Sequence, residues 1–225
     1  MGKTESNNKK GWRKAFGGIV FILVAFVLLY LQAASTYGFR LWMGDHNLQA
    51  QDFPSAILWY TRALRSAKTG HTPERISDSS FRLYRAYEGF CRWEFEGNRL
   101  WGWFAGNQIN ELLLNKGVLE ISATGDDPWL EIIRLRLEPK RAYRFEVRQR
   151  VPAGNRGQLY WAPLTDVFNP KQYQEFAIQA DNQFHEYKVE MAPIQEEIGK
   201  IRFIPADAAG RIAIDWIRIL PSGDK

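Results

Sequence analysis

Three regimes of hydrophobic spacing follow one another along the chain. The first is an unbroken apolar run, residues 15–34 (AFGGIVFILVAFVLLYLQAA), with no charged residue and one strongly polar side chain, Gln32. At about 1.5 Å per residue, about 20 helical residues match a hydrocarbon core about 30 Å thick, so the run predicts a transmembrane helix. In the second regime Phe53, Ile57, Tyr60 and Leu64 recur at helical spacing and share one face. Pro54 and Ser55 suit its first turn, where proline's missing N–H costs nothing, and Ala56 and Ala63 leave room for a neighbouring helix. A further helix is expected from about Pro73 to Trp93. Near Leu100 the period falls to two. Tyr143, Phe145 and Val147 alternate with Arg144, Glu146 and Arg148, and residues 132–137, 185–191, 200–204 and 211–220 behave alike. Turn-forming clusters at 116–117, 125–128, 152–157 and 207–210 separate these runs. The pattern predicts a mostly β chain: a basic tail at 1–14, an anchor at 15–34, a short α-helical hairpin segment at 35–97, and an antiparallel β-sandwich at 98–221.

Charge orients the first element. Lys3, Lys9, Lys10, Arg13 and Lys14 precede the apolar run with only Glu5 opposing them, a net +4 of the total +5. Positive charge stays on the cytoplasmic side, which predicts a single-pass protein of the cytoplasmic (inner) membrane with its N-terminus inside and its main domain outside. The alternative, a secretory signal peptide cut after Ala33 to Ser35, places the rest of the chain in the same compartment, although the run exceeds a signal peptide's apolar core. Beyond residue 14 the chain is nearly neutral, at +1. The basic stripe of a nucleic-acid binder is therefore absent from the folding part. Cys91 is the only cysteine, so no intrachain disulfide forms.

Two stretches resemble known families. Met43-Gly44, Phe53, Ala56 with Tyr60, and Ala63-Leu64 are similar to one tetratricopeptide repeat, with Arg40 in place of its Trp and Lys68 in place of its closing Pro. The series G-V-L-E-I (117–121), D-P-W (127–129), Y-R-F-E-V (143–147), L-Y-W (159–161), F-H-E-Y-K-V (184–189), I-R-F-I-P (201–205) and I-D-W-I-R-I (214–219) resembles the galactose-binding-like jelly rolls of non-catalytic carbohydrate-binding modules. That resemblance covers residues 100–221. It implies a saccharide ligand, and it raises a structural calcium near the chain ends, for which Asp215 is the candidate ligand. An Arg or a backbone N–H would satisfy that carboxylate equally well.

Sugars are recognised by aromatic stacking and planar polar groups. Trp161 with Tyr160 is the expected platform, and Arg148, Arg150 and Arg202, opposite the apolar positions of their strands, are the expected polar partners. The competing reading puts Trp161 in the core and pairs the arginines with Glu146 and Glu190 on a solvated face.

Catalytic signatures are missing. Gly2-Lys3-Thr4 lacks the glycine and strand of a phosphate-binding loop. His46, His71 and His185 have no metal-ligand spacing. The carboxylate pairs Glu94/Glu96, Asp126/Asp127 and Glu196/Glu197 read as solvated charge at a helix end or in loops. Two functions follow, neither enzymatic. One is a membrane-anchored protein binding an envelope glycan or lipid-linked saccharide, with no cofactor required. The alternative is an accessory or assembly subunit docking other proteins through helices and sandwich.

Overall fold

The computed structural model describes residues 36–95, 100 and 102–223, together with Val24, 26–28 and Gln32. The apolar run predicted to be an anchor otherwise lies outside these residues. Among the described residues no helix is long and apolar enough to cross a membrane. The chain divides into two compact units, Met1–Ser80 and Phe81–Lys225.

The first unit is helical. Thr36 is extended, and its hydroxyl accepts the Phe39 N–H at 3.3 Å, starting α1 (Tyr37–Gln49). Asp52 likewise accepts from Ser55 N–H at 3.2 Å and caps α2 (Phe53–Thr69), with Pro54 in its first turn. The buried stripe of α2 is Ala56, Tyr60, Ala63, Leu64 and Ala67. Small residues on that stripe let α1 approach, and Tyr60 occupies the space where Gly44 has no side chain. The Tyr60 hydroxyl then reaches Asp45 Oδ1 at 2.7 Å. A third helix, α3 (Pro73–Phe90), begins in this unit, where the Tyr37 hydroxyl donates to the Arg75 carbonyl at 3.0 Å.

The second unit is an antiparallel sandwich. One sheet has the order β3 (Ile109–Asn115), β4 (Val118–Ala123), β11 (Gly210–Pro221), β6 (Tyr143–Arg150), β9 (Phe184–Met191), with β1 (Arg92–Trp93) also on β11. The other has the order β2 (Trp103–Ala105), β5 (Leu130–Leu137), β10 (Ile198–Ile204), β7 (Arg156–Ala162), β8 (Tyr173–Ala177). Every pairing is antiparallel, and from β2 onward each connection except β3–β4 and β7–β8 changes sheet. The core is closed by Leu119, Ile121, Phe145, Val147 and Ile217 from the first sheet and Leu130, Ile132, Leu159, Ile201 and Phe203 from the second. Phe145 and Phe203 meet between the sheets, ring centroids 5.0 Å apart.

The helix expected to reach Trp93 ends at Phe90. Trp93 instead enters a strand opposite Ile217 and is buried edge-on against Trp103, centroids 5.4 Å apart. Burial of a large indole in the sandwich outweighs three more residues of helix. The neighbouring Cys91 is fully buried, which pushes its thiol far above the ordinary range and leaves it inert.

Candidate binding face

Strand register assembles one row of side chains on the outer face of the second sheet. Phe104 of β2 lies opposite Glu131 of β5, Glu131 opposite Arg202 of β10, Arg202 opposite Tyr160 of β7, and Tyr160 opposite Tyr173 of β8. Five strands about 4.8 Å apart make this row about 19 Å long, running across the strands. Beside it Ile204, Gln158 and Glu175 form a second, shorter row.

Arg202 is the centre of the arrangement. Its Nη2 donates to Glu131 Oε2 at 3.2 Å, while its guanidinium carbon lies 4.0 Å from the Trp129 ring centroid and 4.5 Å from that of Phe168. A planar cation packed against two aromatic rings is fixed more firmly than a solvated arginine. Its Nε is buried and has no hydrogen-bond partner among the described residues.

The two rings come from loops, each with a local cause. Trp129 lies over Gly106, whose N–H donates to the Trp129 carbonyl at 2.8 Å; a methyl on Gly106 would fall inside the indole. Phe168 comes from the β7–β8 connection, with Lys200 Nζ 4.8 Å from its centroid.

At the other end of the row Tyr160 and Tyr173 stack, with centroids 5.0 Å apart and planes 14° off parallel. The Tyr160 hydroxyl donates to Gln158 Oε1 at 3.0 Å, and Gln158 Nε2 donates to Glu175 Oε1 at 2.8 Å. Burial, then the Tyr173 hydroxyl and the Asp127 and Glu175 carboxylates, push the Tyr160 phenol above its ordinary value against the opposing pull of Arg202. Tyr160 therefore stays a neutral hydroxyl, able to donate and accept. A recess of about 320 Å³ adjoins this end, lined among others by Tyr173, Gln174, Trp161 and Ala192, and another of about 240 Å³, lined by Asp126, Asp127, Arg156, Gln158, Ile204 and Asp207, adjoins the second row.

Of the residues expected at the site, Tyr160 and Arg202 are brought together. The other three are placed elsewhere. Trp161 follows Tyr160 on β7 and so points the opposite way, into the core; it is 3 % exposed and its indole N–H donates to the Ala192 carbonyl at 3.0 Å. Arg148 and Arg150 stand on β6 in the other sheet, with guanidinium carbons 5.0 and 5.2 Å from the Phe184 ring centroid. The three arginines do not share a polar face, because β6 and β10 belong to different sheets. Asp215, the calcium candidate, is ion-paired with Arg148. Among the described residues no group of three His, Cys, Asp or Glu is placed to hold a metal.

Trp129, Phe168, Tyr173, Gln158 and Glu131 were not anticipated. The run Tyr-Gln-Glu-Phe at 173–176 puts its two aromatics on opposite faces, so no alternation marks β8, a sheet-edge strand polar on much of its surface.

The sandwich is similar in fold to solved carbohydrate-binding modules. A family 22 xylan-binding domain from Paenibacillus barcinonensis aligns at 12% identity over 60% of this chain and 94% of that one, with a TM-score of 0.47. A family 4 module aligns at 12% identity over 53% and 86% of the two chains, with a TM-score of 0.45. The C-terminal family 6 module of a laminarinase from Zobellia galactanivorans aligns at 14% identity over 57% and 97%, with a TM-score of 0.41. No protein-family model matches the chain, and neither does any curated protein.

Proposed function

We propose that the sandwich is a non-catalytic carbohydrate-binding domain that lays a saccharide chain across the outer face of its second sheet. The observation that carries this reading is the row Phe104–Glu131–Arg202–Tyr160–Tyr173, drawn from all five strands. A pyranose has apolar C–H faces and a rim of hydroxyls, which ask for aromatic surface beside rigid planar polar groups. This face supplies both: Tyr160, Tyr173 and Phe168 beside Arg202, Glu131 and the Gln158–Glu175 pair. The polar groups hold one another in place, so little ordering remains to be done on binding. The carboxylates on the two rows are engaged, Glu131 by Arg202 and Glu175 by Gln158 and Arg156. They serve the face as acceptors.

The same proposal holds the chain to a membrane through residues 15–34, with the sandwich outside the cytoplasm and an envelope glycan or lipid-linked saccharide within reach. Its support is the uncharged run and its basic flank. The decisive experiment is affinity electrophoresis of the full chain in mild detergent through gels containing a panel of soluble polysaccharides. Retardation by one of them, abolished in Tyr160→Ala/Tyr173→Ala, is expected. Equal mobility in every gel removes the proposal.

A second reading, protein docking, is favoured by Leu164 and Val167, 49 % and 87 % exposed in the loop that carries Phe168. Affinity purification that recovers a stoichiometric partner, lost in Val167→Asp, would support it.

A further inference from the structure

We propose that the aromatic edge of the α1–α2 hairpin lies in the headgroup layer of a membrane, making the hairpin a lipid-surface contact as well as a spacer. This rests on the reading of residues 15–34 as a membrane span. The edge is built from both helices. Trp42 on α1 is 59 % exposed and stacks on His46, one turn further along, with centroids 5.9 Å apart and planes 18° off parallel. Its other neighbour, Phe39, is 5.7 Å away and makes an edge contact at 5.9 Å with Trp59 of α2. Arg62 lies over the face of Trp59 at 4.9 Å, and Leu58 beside it is 49 % exposed. Trp42 and Leu58 are thus exposed and Trp59 is half-buried between Phe39 and Arg62, on a hairpin whose α2 stripe Ala56, Tyr60, Ala63, Leu64 and Ala67 is buried.

Chemistry and position select lipid as the occupant. Indole rings carry an apolar body and a single N–H, a combination enriched where hydrocarbon meets water. The guanidinium over Trp59 fits the same boundary, since a long basic side chain keeps its head among polar groups while its stem lies along apolar surface. Position is set by the chain. Two residues, Ser35 and Thr36, separate Ala34 from Tyr37, and the three steps between them reach at most about 10 Å when extended. The extended Thr36 cap starts α1 as a separate helix, so α1 is free to leave the direction of whatever precedes it. On the span reading, Trp42 lies at most about 18 Å beyond Ala34, and an α1 laid along the surface keeps it in a headgroup layer about 5–7 Å deep.

The test uses the full chain reconstituted in phosphatidylcholine–phosphatidylglycerol vesicles. Cys91 is buried and inert, so a cysteine introduced at an exposed position takes up an environment-sensitive fluorophore alone. Trp42→Cys and Leu58→Cys report on the edge, and Val167→Cys on the sandwich gives an exposed reference. Labels at 42 and 58 should emit to the blue of the label at 167. They should lose most of their emission to lipids spin-labelled at the headgroup and little to aqueous iodide, while 167 does the reverse. A protein that fails to float with vesicles overturns the span reading and this inference with it. Flotation with labels at 42 and 58 open to iodide overturns this inference alone. So does flotation with both labels shielded from lipid and iodide, which places protein over the edge.

Discussion

Tyr160 and Tyr173 form a parallel stack across the β7–β8 pair, centroids 5.0 Å apart, with Tyr173 on the outermost strand and 37 % exposed. A stacked pair contributes about 0.5–1.5 kcal/mol beyond its burial, so each ring rigidifies the other more than it stabilises the fold. Tyr173→Ala should therefore lower stability by about 1 kcal/mol while weakening saccharide binding by about 2 kcal/mol or more, on the order of 30-fold. Denaturant unfolding and gel retardation of the same preparation measure the two effects. A variant that binds as tightly as the parent would take Tyr173 out of the site.

Trp161 makes the opposite case. It is enclosed by the core and tied to Ala192, so Trp161→Ala should cost about 3–5 kcal/mol through lost burial and the cavity left behind. Whatever fraction remains folded should bind saccharide normally, since the indole points inward and borders the recess beside Tyr173 without joining the row. Folded protein that has lost binding with its stability intact would return Trp161 to the site.

The contrast between these neighbours shows how far the sequence reaches. Alternation along β7 assigns Tyr160 and Trp161 to opposite faces, and either one excludes the other from a shared platform. The strands β5, β6, β9, β10 and β11 were legible because one face of each is apolar and the other polar over five or more residues. Sheet membership was not legible. Arg148 on β6 and Arg202 on β10 occupy the same kind of position in the same kind of strand, and only long-range pairing sends them to opposite sides of the sandwich. Trp129 and Phe168 were out of reach for another reason. They lie in connections, where no periodicity says which way a side chain turns, and their placement depends on contacts with residues far away in sequence, Gly106 and Lys200.

Arg202 should behave unlike a solvated arginine. Its removal strips two rings of a cation and leaves the Glu131 carboxylate, whose side chain is 12 % exposed, without its ion-pair partner. Arg202→Ala is expected to cost about 1–3 kcal/mol, most of it the cost of that unpaired acid. Arg202→Ala/Glu131→Gln should then recover part of the loss, while saccharide binding stays weak in both. Additive losses in the double-mutant cycle would show that the pair contributes no coupling.

Asp207 ties the β6–β7 turn to the end of the face, and its ionisation gives the sandwich an acid-sensitive joint. Its Oδ1 accepts the N–H groups of Asn155 at 2.8 Å and Arg156 at 3.3 Å, and its Oδ2 lies 3.2 Å from Arg156 Nε. Burial works against the charged form, but these backbone donors and the Arg156 guanidinium outweigh it and hold the carboxyl below its ordinary value. A carboxyl depressed in the folded state binds its proton more readily once unfolded. Its contribution is therefore complete above the ordinary aspartate value of about 3.9 and disappears as the pH falls through the lower folded value. Asp207→Asn keeps the shape and one acceptor but loses the charge, so at pH about 6 it should be less stable than the parent by about 1–2 kcal/mol. The gap should close as the pH drops below about 4, because the parent is then losing the same interaction. Asp181, also held low by His185 and by the Gln183 N–H, is present in both proteins and cancels from the difference. Urea unfolding of parent and variant across this range measures the gap directly, and a gap that does not change with pH would mean that Asp207 acts through its shape alone.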